Sequence, residues 1–204
     1  MTSRLLAALG LVFVLIAGLA APARAAGEAE AVISAFNESL VETMKAGPKL
    51  SFKGRVEKLR PAVVATYDMV AMTRATLGVA ATKLAPEEAA RLAEAYTRFS
   101  VATYAAQFDA WDGERFELDP ARPSTQGTVI VPTRIVLKDA EPVAIDYLLR
   151  EEQGRWRVID VFFQGTVSQV AMRRSEFLSI YRAKGLDGLI QTLDAQTAAQ
   201  ATTN

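Results

Sequence analysis

The sequence offers few residues for enzymatic chemistry, because its 204 residues include no histidine and no cysteine. That composition excludes thiolate nucleophiles, Ser-His-Asp and Cys-His catalysis, disulfides and the usual zinc ligands. Serine-hydrolase signatures and glycine-rich phosphate loops are also absent from the sequence. The remaining candidates for proton chemistry are carboxylates.

Asp160 is the carboxylate that stands out, because it lies in the apolar run 158–163. A buried carboxylate needs hydrogen bonds or a cation, and Arg157, Arg173 or Arg174 could supply the cation. We favour a structural role, in which Asp160 fixes a corner between a strand and the next helix, over proton chemistry.

The composition is that of a globular protein with a sizeable core. Half of the residues are hydrophobic and 23% are charged, and 23 basic side chains balance 23 acidic ones. This length suggests a single domain, and the balanced charge gives no basic patch for phosphate contacts. We therefore do not expect nucleic acid as a partner.

The N-terminal segment has the pattern of a processing signal. Arg4 precedes an uncharged run over 5–21, and small residues stand at positions 23 and 25. This pattern predicts a cleaved signal peptide over residues 1–25 and a single mature α+β domain over residues 26–204, exported as a soluble protein. An uncleaved membrane anchor is the alternative.

The apolar periodicity changes along the chain. Spacings of three and four predict helices over 28–46, 57–66 (with Pro61 starting or kinking the helix) and 86–108, whereas alternation predicts strands over 116–118, 127–137, 143–149 and 156–163. The last of these strands is expected to be central. Two helices follow, with a break at Lys184-Gly185. The fold class is therefore α+β, with helices packed against one curved, mainly antiparallel sheet of about four strands.

The supply of apolar side chains permits two interpretations. Nine Phe, five Tyr and five Met accompany many aliphatic residues. They could fill an ordinary core, or they could line a cavity between sheet and helices, in which flexible Met side chains adapt to an irregular ligand. The residues alone leave both open.

Several segments together resemble one family. They are Tyr67-Asp68-Met69 followed by Met72 and Leu77-Gly78, the run from Leu84-Ala85-Pro86 to Thr103-Tyr104, the strand Gly154 to Val161, and Arg174-Ser175-Glu176-Phe177. In this order and spacing they are similar to the MlaC or toluene-tolerance family of periplasmic lipid carriers. The ending from Gly165 to Phe177 looks most like the HpnM branch, which is associated with hopanoid biosynthesis.

The resemblance implies a monomeric periplasmic protein, without cofactor or enzymatic activity, that encloses the apolar part of a lipid. The implied ligand is a hopanoid or a phospholipid. The implied partners are an inner-membrane lipid transporter and, as a further candidate, an outer-membrane protein. Two alternatives remain: an adaptor that docks on such a transporter without carrying a lipid, and an enzyme that uses Asp68 and Asp160 on a lipid.

The candidate lipid-binding residues come from the strand alternation and from the helices that face the sheet. The strands contribute Val129, Val131, Ile145, Tyr147 and Leu149, with Val158 or Val161 according to register, and the helices contribute Met69, Met72, Leu77, Tyr96, Phe99, Tyr104 and Phe177. A register error of one residue would exchange the strand set for its neighbours.

Overall fold

The computed structural model of the protein describes residues 20–202. The predicted signal peptide, residues 1–25, lies for the most part outside this range. Within the described range, no helix combines the length and the apolar character needed to cross a membrane.

Four α-helices form the first half of the part of the chain that the structure describes, and local capping explains where the last three of them start. They are α1 (Ala20–Ala46), α2 (Phe52–Thr66), α3 (Met69–Leu77) and α4 (Pro86–Gln107). The side chains of Ser51 and Asp68 accept hydrogen bonds from the first-turn amides of α2 and α3. The Ala85 amide donates to the side chain of Glu88 at the start of α4.

The predicted start of α2 is five residues too late. The helix begins at Phe52, because the Ser51 hydroxyl satisfies the amide of Gly54, 3.2 Å away. Pro61 lies inside the helix and does not start it. The other helix predictions of this half agree with the structure to within a few residues, except that α1 begins earlier, at Ala20.

The second half contains one antiparallel sheet of six strands. The strands are β1 (Arg115–Leu118), β2 (Arg122–Pro123), β3 (Thr128–Val136), β4 (Val143–Glu152), β5 (Arg155–Phe163) and β6 (Val167–Ser168). Their order is β1-β3-β4-β5-β6, and β2 also pairs with β3. The predicted fold class is confirmed, with two additional strands of only two residues.

The central strand is β4, and the prediction that β5 is central was wrong. The outer edge of β5 pairs only with the short β6 and, at Val158, with the segment after α2. There the Asp68 amide donates to the Val158 carbonyl over 2.9 Å. Two apolar residues at the end of β5, Val161 and Phe163, line a pocket on the side of the sheet that the helices cover.

The last helix, α5 (Gln169–Thr202), is interrupted where the sequence predicted a break. Gly185 has φ 67° and ψ −170°, a conformation that a residue with a Cβ rarely adopts. Beyond it, α5 packs along α4, where Arg91 pairs with Asp187 and Arg98 with Asp194, each at 2.6 Å.

The helices cover one face of the sheet, which we call the inner face. Val129 lies opposite Leu149 and Val131 opposite Tyr147, so the predicted grouping of these strand residues is correct. A β-bulge then shifts the pairing between β4 and β5, such that Leu149 faces Val158 while Tyr147 faces Val161. The extra residue explains why both Val158 and Val161 join the inner face.

Candidate functional site

The inner face of the sheet is not completely covered. A pocket of about 510 Å³ opens between its β4–β5 side and the helices α3, α4 and α5. Its volume falls within the range of roughly 300–1,000 Å³ that is usual for small-molecule sites. The walls are mainly aliphatic and aromatic side chains.

Eight of the fourteen candidate residues line this pocket, namely Met69, Met72, Tyr96, Phe99, Tyr104, Ile145, Tyr147 and Val161. They come from α3, α4, β4 and β5. The structure therefore brings together residues separated by up to 92 positions, from Met69 to Val161. Their predicted contact with a lipid stays a prediction.

The other six candidates lie in the packed core and not at the pocket; they are Leu77, Val129, Val131, Leu149, Val158 and Phe177. The strand members share the inner face, but α1 packs against β3 and β5 in this region. Its Phe36 ring stands 6.4 Å from the ring of Tyr147. Alternation identified the correct face, whereas the covering helices decide which part of that face is filled.

The inner face thus has two parts, which we name by their residues. The filled half contains Val129, Val131, Leu149 and Val158, and the open half contains Ile135, Val143, Ile145, Val161 and Phe163. Tyr147 lies between them.

Sequence reasoning missed several residues of the pocket, including Ile135, Val143, Phe163 and Met172. Ile135 and Val143 face each other across β3 and β4 and continue the alternation of Val129 and Tyr147. Extending the pattern to the strand ends would have found both. The polar lining residues Ser100, Thr103 and Gln107 follow Tyr96 on α4 at helical spacing, which could also have revealed them.

Three tyrosines form the inner end of the pocket. The rings of Tyr67 and Tyr104 contact Phe36 edge-on at centroid distances of 5.4 and 5.3 Å, and their hydroxyls are hydrogen-bonded to each other. Burial raises the pKa of Tyr104 to about 12, and it raises the pKa values of Tyr67 and Tyr147 well above 10. These phenols are therefore neutral and act as apolar walls with a satisfied polar tip.

The outer end of the pocket is apolar and exposed. Phe163 and Met172 keep 44% and 53% of their surface accessible. Val167 of β6 pairs with Phe163 of β5. Beside them the Arg173 guanidinium lies over the Phe99 ring, 4.8 Å from its centroid. It is the one charged side chain among the described residues that line the pocket.

Asp160 has the structural role that the sequence favoured, but an arginine is not among its described hydrogen-bond partners. Its carboxylate accepts from the Val161 and Val170 amides at 2.7 and 3.1 Å and from the Ser168 hydroxyl at 2.6 Å. These bonds join β5 to the start of α5. The carboxylate is satisfied without a cation.

The second acid, Asp68, also has a structural role. It caps α3 through the Ala71 amide at 2.8 Å and pairs with Arg150 at 3.4 Å. Neither Asp68 nor Asp160 lines the pocket. Within residues 20–202, no cluster of acidic side chains is arranged to hold a metal ion. The arrangement does not support carboxylate chemistry in the pocket.

An apolar pocket between a curved sheet and its covering helices, with one arginine in its wall, is typical of domains that bind an apolar molecule. The sequence agrees with this class. The family model described as "MlaC protein" matches residues 34–195, and the chain belongs to the MlaC family. This confirms the family resemblance, while the HpnM branch stays a prediction.

A solved structure has the same fold. It is the phospholipid-binding protein from Ralstonia solanacearum in complex with a phospholipid, at a TM-score of 0.73 and 21% sequence identity. The match covers 85% of this chain and 99% of that chain. At this identity the likeness establishes the fold alone.

Proposed function

We propose that this protein binds the apolar part of a lipid in the open half of its sheet and transports the lipid through the periplasm. The pocket of about 510 Å³ with its apolar walls is the observation that carries this proposal. Membership of the MlaC family and the phospholipid bound by the Ralstonia protein support it.

The physical basis is burial of hydrocarbon. Moving a methylene group from water into an apolar site contributes about 0.8 kcal/mol. A pocket wall of Met69, Phe99, Ile145 and similar side chains can therefore hold a lipid without any reaction. The family and the lipid-binding neighbour support a carrier rather than an enzyme.

The proposed location rests on the N-terminal sequence. An uncharged run over 5–21 followed by small residues at 23 and 25 is typical of a cleaved export signal. A carrier between two membranes needs donors and acceptors, and we propose an inner-membrane lipid transporter as one of them. An outer-membrane protein is the second candidate partner.

Two lipid classes are candidates for the ligand. The Ralstonia neighbour favours a phospholipid, whereas the resemblance of the ending Gly165–Phe177 to the HpnM branch favours a hopanoid. Both have an apolar body that the open half of the sheet could bury.

Native mass spectrometry of the mature protein, purified from its own periplasm, tests the proposal. Organic extraction then identifies the bound molecule. We expect a lipid in stoichiometric amount, and its class distinguishes the two candidates. An empty protein that also takes up neither class from vesicles would contradict the carrier function and favour a non-carrying adaptor. If the protein is not found in the periplasmic fraction, the proposed location is wrong.

A further inference from the structure

Arg173 is a charged residue in an otherwise uncharged site. Its side chain keeps 26% of its surface accessible and belongs to the wall of the pocket. On one side lies Phe99, which is 6% exposed, and on the chain beside it Met172 is 53% exposed. Arg173 therefore stands where the buried part of a bound amphiphile would end and its exposed part would begin.

The Arg173 guanidinium is positioned by two neighbours, but most of its N–H donors have no hydrogen-bond partner among the described residues. It lies over the Phe99 ring, and one terminal nitrogen donates to the Glu176 carboxylate at 3.0 Å. No further hydrogen bond of this group is found within residues 20–202. An arginine has five N–H donors, so several stay available at the mouth of the pocket.

Two of the first amides of α5 are occupied, since Val170 donates to Asp160 at 3.1 Å and Ala171 donates to the Ser168 hydroxyl at 2.9 Å. The Arg173 guanidinium is the charged donor among the described residues that line the pocket, beside uncharged donors such as Gln169 and Ser100. A guanidinium forms paired, charge-assisted hydrogen bonds with phosphate or carboxylate oxygens.

We infer that Arg173 binds the anionic head of the lipid, so that the ligand is an amphiphile whose apolar body ends in phosphate or carboxylate oxygens. This inference rests on the proposed function, because it requires a lipid in the pocket. It favours a phospholipid or a fatty acid over an uncharged polycyclic lipid.

Glu176 is compatible with this role. Its carboxylate pairs with Arg173 and accepts a second hydrogen bond from the Gln196 amide at 2.9 Å. In the empty pocket it neutralises a guanidinium that would otherwise be partly desolvated without a partner. When an anionic head binds, one terminal nitrogen of the guanidinium still donates to Glu176, and the other N–H groups donate to the ligand.

The test measures lipid uptake from vesicles of digalactosyldiacylglycerol, which has neither phosphate nor carboxylate, that contain a trace of phosphatidylglycerol, oleate or diacylglycerol. The variants are Arg173→Gln, Glu176→Gln and Arg182→Gln. Arg182 is an exposed arginine of the same helix outside the pocket, so its variant controls for the lost charge. Circular dichroism and thermal unfolding check that each variant is folded.

We expect Arg173→Gln to lower uptake of the anionic lipids about tenfold, since a charge-assisted hydrogen bond is lost, and to leave diacylglycerol uptake unchanged. Arg182→Gln should behave as the wild type. Glu176→Gln should lower uptake of the anionic lipids less than Arg173→Gln does, because the guanidinium charge that binds the head remains. If Arg173 acts only through its ion pair with Glu176, Arg173→Gln and Glu176→Gln should instead lower uptake of all lipids equally.

The phosphatidylglycerol and oleate arms distinguish a phosphate from a carboxylate head. The inference would be overturned, and the carrier function left intact, if Arg173→Gln lowered the uptake of anionic and neutral lipids equally or did not lower uptake at all. A wild-type protein that takes up a hopanoid from the same vesicles but none of the anionic lipids would also overturn the inference, and one that takes up neither a hopanoid nor any of these lipids would overturn the proposed function itself.

Discussion

The two halves of the inner face are built from similar residues but have different surroundings. In the filled half, Val131, Leu149 and Val158 have no accessible surface, because α1 and neighbouring helices pack on them. In the open half, Ile145 and Val161 border a pocket and Phe163 is 44% exposed. The comparison teaches that strand alternation determines which side chains face inward, whereas helix placement determines whether a ligand can reach them.

The boundary between the halves is marked by tyrosines. Tyr147 contributes to both the core and the pocket, and Tyr67 and Tyr104 close the inner end through their paired hydroxyls. Large rings stop the pocket here without leaving an unsatisfied polar group. Toward the outer end, Phe163, Val167 and Met172 are exposed, which is consistent with the lipid entrance proposed above.

The largest expected effect is loss of the fold at high pH. Burial raises the pKa values of Tyr96 and Tyr104 from 10.0 to about 12, so the folded protein retains protons that the unfolded chain has lost. The contribution of these tyrosines to the free energy of unfolding should be fully present below pH 10 and should be lost as the pH rises from 10 through about 12. Ultraviolet titration of tyrosinate, followed alongside circular dichroism, checks this.

The same titration tests whether the tyrosines between the filled and open halves are shielded from water. If the tyrosines at the inner end ionise near pH 10 while the circular dichroism stays native, water reaches them and the open half extends further than described. Co-incident ionisation and unfolding is the expected result.

A pair of phenylalanine truncations should separate the packed core from the mouth of the pocket by stability. Phe177→Ala removes a fully buried ring of the core and should lower the free energy of unfolding by about 3–5 kcal/mol. Phe163→Ala, at the exposed mouth of the pocket, should cost less than about 1 kcal/mol. Urea unfolding measures both. Similar losses for the two variants would show that the mouth is packed as tightly as the core.

A smaller effect is expected at the corner that presents α5 to the pocket. Asp160→Ala removes the acceptor for the Val161 and Val170 amides and the Ser168 hydroxyl, and should cost about 1–3 kcal/mol. Because this corner positions Met172 and Arg173, lipid uptake should fall as well. The matched variant Ser168→Ala keeps the carboxylate and should cost less. Unchanged unfolding of Asp160→Ala would contradict the corner role.

Much of the fold follows from the sequence, because periodicity reports local structure directly. The helix starting at Pro86 and the break at Gly185 were predicted, as was the shared face of Val131 and Tyr147. The start of α2 was placed late, because capping by Ser51 depends on a single hydroxyl with no periodic signal.

Less of the site could be predicted, because it depends on contacts between distant elements. Alternation places Leu149 and Ile145 on one face, but the packing of the covering helices buries Leu149 and leaves Ile145 at the pocket. The β-bulge that turns both Val158 and Val161 inward breaks the alternation on which the prediction relied. Arg173 was considered as a partner of Asp160 and not as a pocket residue, although its observed neighbours are Phe99 and Glu176.

The central claim is that the lipid occupies the open half, and adjacent residues of β4 test it most directly. Ile145→Trp fills the pocket from the inner face, whereas Ala144→Trp adds the same side chain on the opposite face, across from Arg134. Native mass spectrometry after incubation with phosphatidylglycerol vesicles should show at least about tenfold less lipid on Ile145→Trp and wild-type occupancy on Ala144→Trp. Wild-type occupancy of a folded Ile145→Trp variant would contradict the claim.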